Sequence, residues 1–141
     1  MAAEVFTRAW GEEVRDRVNE SERYRAAAAN WEWPLVLVLL ADPDLGVEEQ
    51  RSLYLDLYHG DCRDVREGTE EDLSEVPYVI EGDPHAWRQV LSGRIAPIGA
   101  LLLGTLRLRH GRITELMAYV VASDELVKAA RLVETSFPEA I

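Results

Sequence analysis

The chain of 141 residues has a single cysteine, Cys62, so no disulfide can form within it, which agrees with a reducing compartment. Its longest apolar run, Pro34 to Ala41, is far too short to cross a bilayer, so no membrane insertion is expected. Cations are scarce: 15 Lys and Arg against 26 Asp and Glu give a formal net charge of -11. Non-specific affinity for nucleic acid comes from clustered cations, so nucleic acid is not an expected partner, and an anionic membrane would repel the chain as a whole. A Gly-rich phosphate loop, a Gly-x-Ser-x-Gly elbow and a His-Glu-x-x-His pair are missing, as are internal repeats and low-complexity tracts. The amino-terminal residues lack a basic start followed by an apolar stretch, and the carboxyl end, Pro138 to Ile141, carries no peroxisomal or retention address. A cytoplasmic location is the resulting expectation.

What is present suits one domain over residues 1–141. A chain of this length removes roughly 68 to 70% of its unfolded surface from water, and 48% of its residues are hydrophobic. Val5, Phe6, Ala9, Trp10, Val14 and Val18 recur at helical spacing, and Asn19 followed by Glu22 reads as a capping pair for a second helix through Tyr24, Ala28 and Trp31. Pro34 to Leu40 is a β-branched and leucine run, and Leu53, Leu55 and Leu57 alternate with polar or aromatic neighbours, which predicts a strand hairpin. His59-Gly60-Asp61 reads as a turn, Cys62 to Glu67 as a third strand, Glu70-Glu71-Asp72 as a solvated acidic bend, and Tyr78 to Ile80 as a fourth strand. Ile113, Leu116, Met117 and Val120 form one helical stripe. Ser123 with Asp124 and Glu125 then caps a last helix with Leu126, Ala130, Val133 and Phe137 on one face. The pattern is α+β.

Catalytic constellations are thin. His59, Asp61 and Cys62 lie together, but an activated thiol needs a depressed pKa and an exposed edge, and a polar turn beside a structural cysteine explains the same residues. His59, Cys62, His85 and His110 lack the paired short spacings of a zinc site, and the acidic stretch Glu67 to Glu75 lacks the oxygen spacing of a calcium loop, so neither metal nor cofactor is expected.

The richest segment is Trp87 to Gly111. Asp83-Pro84 reads as an N-cap with proline at the first helical position, and Trp87, Val90 and Leu91 form the apolar stripe that follows. Gly93 stops that helix, Ala96-Pro97 opens another, Gly104 ends it, and Leu106 and Leu108 alternate with Arg107 and Arg109 as in a half-buried strand. Between Gly93 and Gly104 the only charge is Arg94, and the aliphatic surface exceeds what one helix face needs. On composition alone such residues would simply fill a core.

Trp87, Gly93-Arg-Ile-x-Pro97, Gly104-Thr-Leu-Arg-Leu108 and the closing Gly111 resemble the sterol carrier protein type-2 family. Asn19 to Arg25, Arg51 to Gly60 and Tyr78 to Gly82 fall where members carry similar segments. Thr105 departs from the lysine found in many members, and the Gly104 to Gly111 stretch is a residue longer than in the animal carriers, which leaves the local strand register open. The resemblance implies a twisted, mainly antiparallel or mixed sheet of about five strands against several helices, with an apolar tunnel between them for acyl chains or sterols. It implies that Trp87, Leu91, Ile98, Leu101, Leu102, Leu106, Leu116, Met117 and Val120 contact that ligand. The function implied is non-catalytic binding or transfer of a long-chain lipid. A module or homodimer receiving a partner helix or tail in the same apolar groove is the other reading. Arg94, Arg107 and Arg109 could meet a carboxylate or phosphate head group, or be the solvent faces of a turn and a strand.

Overall fold

Along residues 2–138, which the computed structural model describes, the elements run β1 (Ala3–Glu4), α1 (Arg8–Glu20), α2 (Glu22–Ala27), β2 (Leu35–Leu39), β3 (Arg51–Tyr58), β4 (Asp61–Glu67), α3 (Glu70–Glu75), β5 (Tyr78–Gly82), α4 (Pro84–Leu91), α5 (Pro97–Leu103), β6 (Arg107–His110), α6 (Ile113–Leu116), α7 (Val120–Arg131) and β7 (Thr135–Ser136). The last three positions of the expected address-free carboxyl end, 139–141, lie outside the described residues. Five strands form one sheet in the order β4-β3-β2-β5-β6. The β2–β5 pair is parallel and the other neighbours are antiparallel, giving the mixed sheet of a single α+β domain.

The central strand explains the layering. β2 reads Leu-Val-Leu-Val-Leu, and such a run has no polar face to leave in water, so both sides of the sheet must be covered. Val36 and Val38 point to the back, where Val79 joins Leu73 and Val76 around α3. Leu35 and Leu37, with Leu53, Leu55, Leu57 and Ile80, point to the front, where α1, α4, α5 and α7 lie. The helix α1 reaches the sheet closely because of Gly11: a Cβ there would stand 2.6 Å from Cγ1 of Val65 and 3.2 Å from Cδ1 of Leu53. The β3–β4 hairpin closes through His59 at φ 49° and Gly60 at φ 87°, the two positive angles of a type I′ turn.

Local details depart from the sequence expectations in several places, and the second helix stops at Ala27, short of Trp31. Phe6 has φ 61°, so the first helix cannot include it; Thr7 caps α1 instead, its hydroxyl accepting from the Trp10 amide. The chain before it, β1, pairs in parallel with β7. Asn19 does not cap a helix. Its side-chain amide donates to the Cys62 carbonyl at 2.9 Å and accepts from the Cys62 amide at 2.8 Å, while Ser21 caps α2. The acidic bend is α3, closed by a capping box in which Thr69 and Asp72 satisfy each other's backbone amides. Ser123 sits inside α7, which begins at Val120 and ends at Arg131, leaving Phe137 beyond β7 with the Arg88 guanidinium 4.2 Å from its ring centre. The β5–β6 pairing shifts register between Val79 and Ile80, in the ladder that the extra residue in 104–111 had left open.

Asp72 ties β4 to α3. Its carboxylate accepts from the two terminal guanidinium nitrogens of Arg66 and from the Thr69 amide. The Arg66 hydrogen bonds hold its pKa down at about 2, against 3.8 for a free aspartate. A carboxyl with a lower pKa folded than unfolded stabilises fully above the unfolded value and loses that contribution as pH falls through the folded one. Asp72→Ala should cost about 1 to 3 kcal/mol in urea unfolding near neutrality. The gap between wild type and variant should narrow as pH drops from about 4 to about 2.

Candidate ligand-binding cavity

Leucines on the front of the sheet and the helices above them do not close completely. They leave a cavity of about 100 Å³. β2, β3 and β5 floor it through Leu35, Leu37, Leu53, Leu55, Leu57 and Ile80. Trp10, Gly11 and Val14 of α1, Trp87, Val90 and Leu91 of α4, and Pro97, Ile98 and Leu101 of α5 form its sides; Ala122, Leu126, Val127 and Ala130 of α7 complete them.

The cavity's indole donors are engaged elsewhere, and Ser123, Tyr24 and Tyr119 are the other lining residues that carry a polar group. The Trp87 indole donates to the Val38 carbonyl at 2.8 Å, Trp10 to the Thr135 hydroxyl at 2.8 Å, and Trp31 to the Trp33 carbonyl at 2.6 Å. A buried water needs two to four polar partners, and a space walled this way offers it almost none. The cavity is therefore a predominantly apolar volume that offers water little to bind.

Of the residues expected to contact a ligand, Trp87, Leu91, Ile98, Leu101, Leu106 and Leu116 line this cavity. Leu102, Met117 and Val120 do not: they face outward, 61%, 50% and 38% exposed. A 3₁₀ turn, Met117–Tyr119, separates α6 from α7, and its tighter winding rotates the stripe expected to run from Ile113 through Val120. On α5, Ile98 and Leu101 take the inward face, and Leu102 and Leu103, the latter 75% exposed, take the outward one. Leucine alternation in β3 was visible in the sequence, but nothing local says which strand face meets a void. The contributions of Trp10, Trp31 and Ala122 come from elements far apart in the chain.

The two walls nearest solvent are held differently. The α6 side is tethered: the Tyr78 hydroxyl donates to the Glu115 carboxylate at 3.1 Å, Tyr119 donates to the Asn30 carbonyl, and Trp31 packs against both tyrosine rings with centroids 4.9 Å apart. Burial, followed by the Glu115 hydrogen bond, pushes the Tyr78 hydroxyl up to about 12, so it stays a donor across the ordinary pH range. α5 has no such anchor. It reads Pro-Ile-Gly-Ala-Leu-Leu-Leu, with no side chain able to hydrogen-bond and no side-chain cap at its start. Cβ atoms built on Gly99 and Gly104 would meet nothing within 4 Å.

The residues considered for covalent chemistry are engaged elsewhere. His59 bonds the Ala29 carbonyl through Nδ1 at 2.7 Å, and the buried Cys62 thiol donates to the Asp64 carbonyl at 3.6 Å. Burial pushes the thiol up to about 12. Cys62 should therefore resist a disulfide reagent at pH 8 in the folded protein and react at the free-cysteine rate in denaturant; fast labelling of the native protein would contradict this environment.

No protein-family model matches the chain, and no curated protein does. Solved structures match well. A crystal structure of sterol carrier protein 2 is 42% identical with a TM-score of 0.83, over 92% of this chain and 99% of that one. The solution structure of a conserved hypothetical protein from Thermus thermophilus, described as a candidate sterol carrier protein, is 41% identical with a TM-score of 0.84, over 96% of this chain and 94% of that one. The apo form of sterol carrier protein 2 from Yarrowia lipolytica shares the fold at 18% identity and a TM-score of 0.57, over 85% of this chain and 88% of that one. With its mixed five-stranded sheet, its front-face helices and identity of this extent over nearly the whole chain, the protein belongs to the sterol carrier protein 2 family.

Proposed function

We propose that residues 1–141 act as one non-catalytic lipid carrier, holding a fatty acyl or sterol-like ligand between sheet and helices and moving it within the cytoplasm. The observation that carries this reading is the cavity, whose walls are apolar apart from Ser123 and two tyrosines and whose neighbouring indole donors are already satisfied. Burial of hydrocarbon is worth about 0.8 kcal/mol per methylene, so affinity needs no metal, cofactor or covalent step. The lone buried cysteine fits a reducing compartment. No helix among the described residues is long and apolar enough to cross a membrane.

The volume sets a condition. About 100 Å³ is smaller than the roughly 150 Å³ of an engineered cavity that takes up benzene, so a long chain requires a wall to move. α5 is the wall least tied down, and its outward displacement would join the cavity to solvent as a tunnel. In this reading Trp87, Leu91, Ile98, Leu101, Leu106 and Leu116 grip the chain, Met117 and Val120 meet it only at the opening, and Leu102 stays on the outer face of α5, away from it.

Organic extraction of the purified protein followed by mass spectrometry should release a stoichiometric lipid, and a fluorescent fatty acid should bind saturably and be displaced by unlabelled ligand. Leu101→Trp, which fills the cavity from a half-buried position, should weaken probe binding about tenfold or more with a native thermal transition retained. An empty protein that ignores the probe would overturn the reading.

A further inference from the structure

The segment 93–112 inverts the charge of the molecule that carries it. It contains four arginines and no acidic residue, in a chain of net charge -11. Arg107 pairs with Glu81 at 3.4 Å, but among the described residues no carboxylate stands within ion-pair distance of Arg94, Arg109 or Arg112. In the middle of this cationic stretch α5 presents Leu102 and Leu103 to water, 61% and 75% exposed, while its other face lines the cavity. A helix that is apolar all round belongs in a core or a membrane, and α5 is in neither. The same arrangement recurs beside it, where Val121 and Met117 are exposed on a wall whose inner side is Leu116 and Ala122.

We propose that α5 is the docking face of the protein on a phospholipid bilayer. This rests on the cavity being a lipid site and adds where the lipid comes from. Leu102 and Leu103 enter the acyl region, and Arg94, Arg109 and Arg112 meet head-group phosphates, which attract cations not neutralised by an ion pair within the protein. The acidic remainder of the chain is repelled by an anionic surface, so the charge asymmetry orients the molecule with α5 towards the lipid. A chain leaving the bilayer would pass from the outer leucines to Ile98 and Leu101 without crossing a polar layer. A second copy is the weaker occupant, because two molecules of net charge -11 repel each other and would bring the same arginine-rich segments face to face.

Flotation with phosphatidylcholine vesicles, alone and doped with phosphatidylglycerol, tests this alongside binding of a soluble fluorescent fatty acid without vesicles. Wild type should float with both, more with the doped vesicles, and salt should weaken that excess. Leu102→Ser combined with Leu103→Ser removes only exposed side chains; it should lower vesicle binding about tenfold or more and slow probe transfer from vesicles, with solution affinity for the probe and the thermal midpoint unchanged. Undiminished flotation of the double variant, or no flotation of wild type, overturns the proposal. So does a wild-type dimer that the double variant turns into a monomer, which would assign the face to a second copy. Flotation that depends on the leucines in a protein that takes up no probe would uphold the docking face and overturn the cavity reading alone.

Discussion

Burial of β2 on both faces is the constraint from which the rest follows. A strand of alternating leucine and valine has nowhere to face water, so the chain has to supply a cover on each side. The parallel pairing with β5 makes this possible, because two parallel neighbours cannot be joined by a tight turn. The connection from β2 to β5 carries a hairpin that extends the sheet and then α3, which drops onto Val36, Val38 and Val79. The front is left to helices drawn from both ends of the sequence. They meet over a floor of leucines and an isoleucine, with bulky indoles between them, and do not interdigitate completely. The cavity is a product of that mismatch: interiors ordinarily pack to crystal density, and here the largest side chains stand at the rim with their N–H groups committed to backbone and hydroxyl oxygens.

The charge distribution follows a similar division. Acids that could destabilise the fold are placed where the backbone or a guanidinium answers them, as Asp72 is by Arg66 and the start of α3. The segment around α5 has neither acids nor internal ion pairs beyond Arg107 with Glu81. Structure in this region depends on apolar contacts and main-chain hydrogen bonds such as Leu106 to Ala100, which hold a helix without fixing it rigidly to its neighbours.

Local signals were readable where geometry is local. The leucine alternation at 53, 55 and 57, the Asp83-Pro84 start of α4, and the glycine closing α5 each state a backbone conformation in two or three residues, and the structure has them. Thr69 with Asp72 was also legible as a capping box, but the run of acids around it reads equally as a solvated loop; what decides for a helix is Leu73 and Val76 reaching the back of the sheet. Asn19 could not be read correctly at all, because its partner, Cys62, lies 43 residues away. For Met117 and Val120 the split of the candidate site has a single origin: helical periodicity identifies a stripe but assumes one continuous winding, and the 3₁₀ turn at Met117–Tyr119 breaks that assumption. Leu102 lies outside the cavity for another reason, since α5 is apolar on more than one face and sequence alone cannot say which face turns inward.

The small parallel ladder of β1 and β7 bears on all of this. Ala3 pairs with Thr135 and Glu4 with Ser136, and the Trp10 indole fastens onto the Thr135 hydroxyl. In a chain with one cysteine, this clasp does by hydrogen bonds what a cross-link does covalently: it joins segments more than a hundred residues apart and ties the far end of α7 to the start of α1. One side of the ligand compartment is thereby a closed hoop. Like a purse sewn shut along one seam, the molecule is fastened there from one end of the chain to the other.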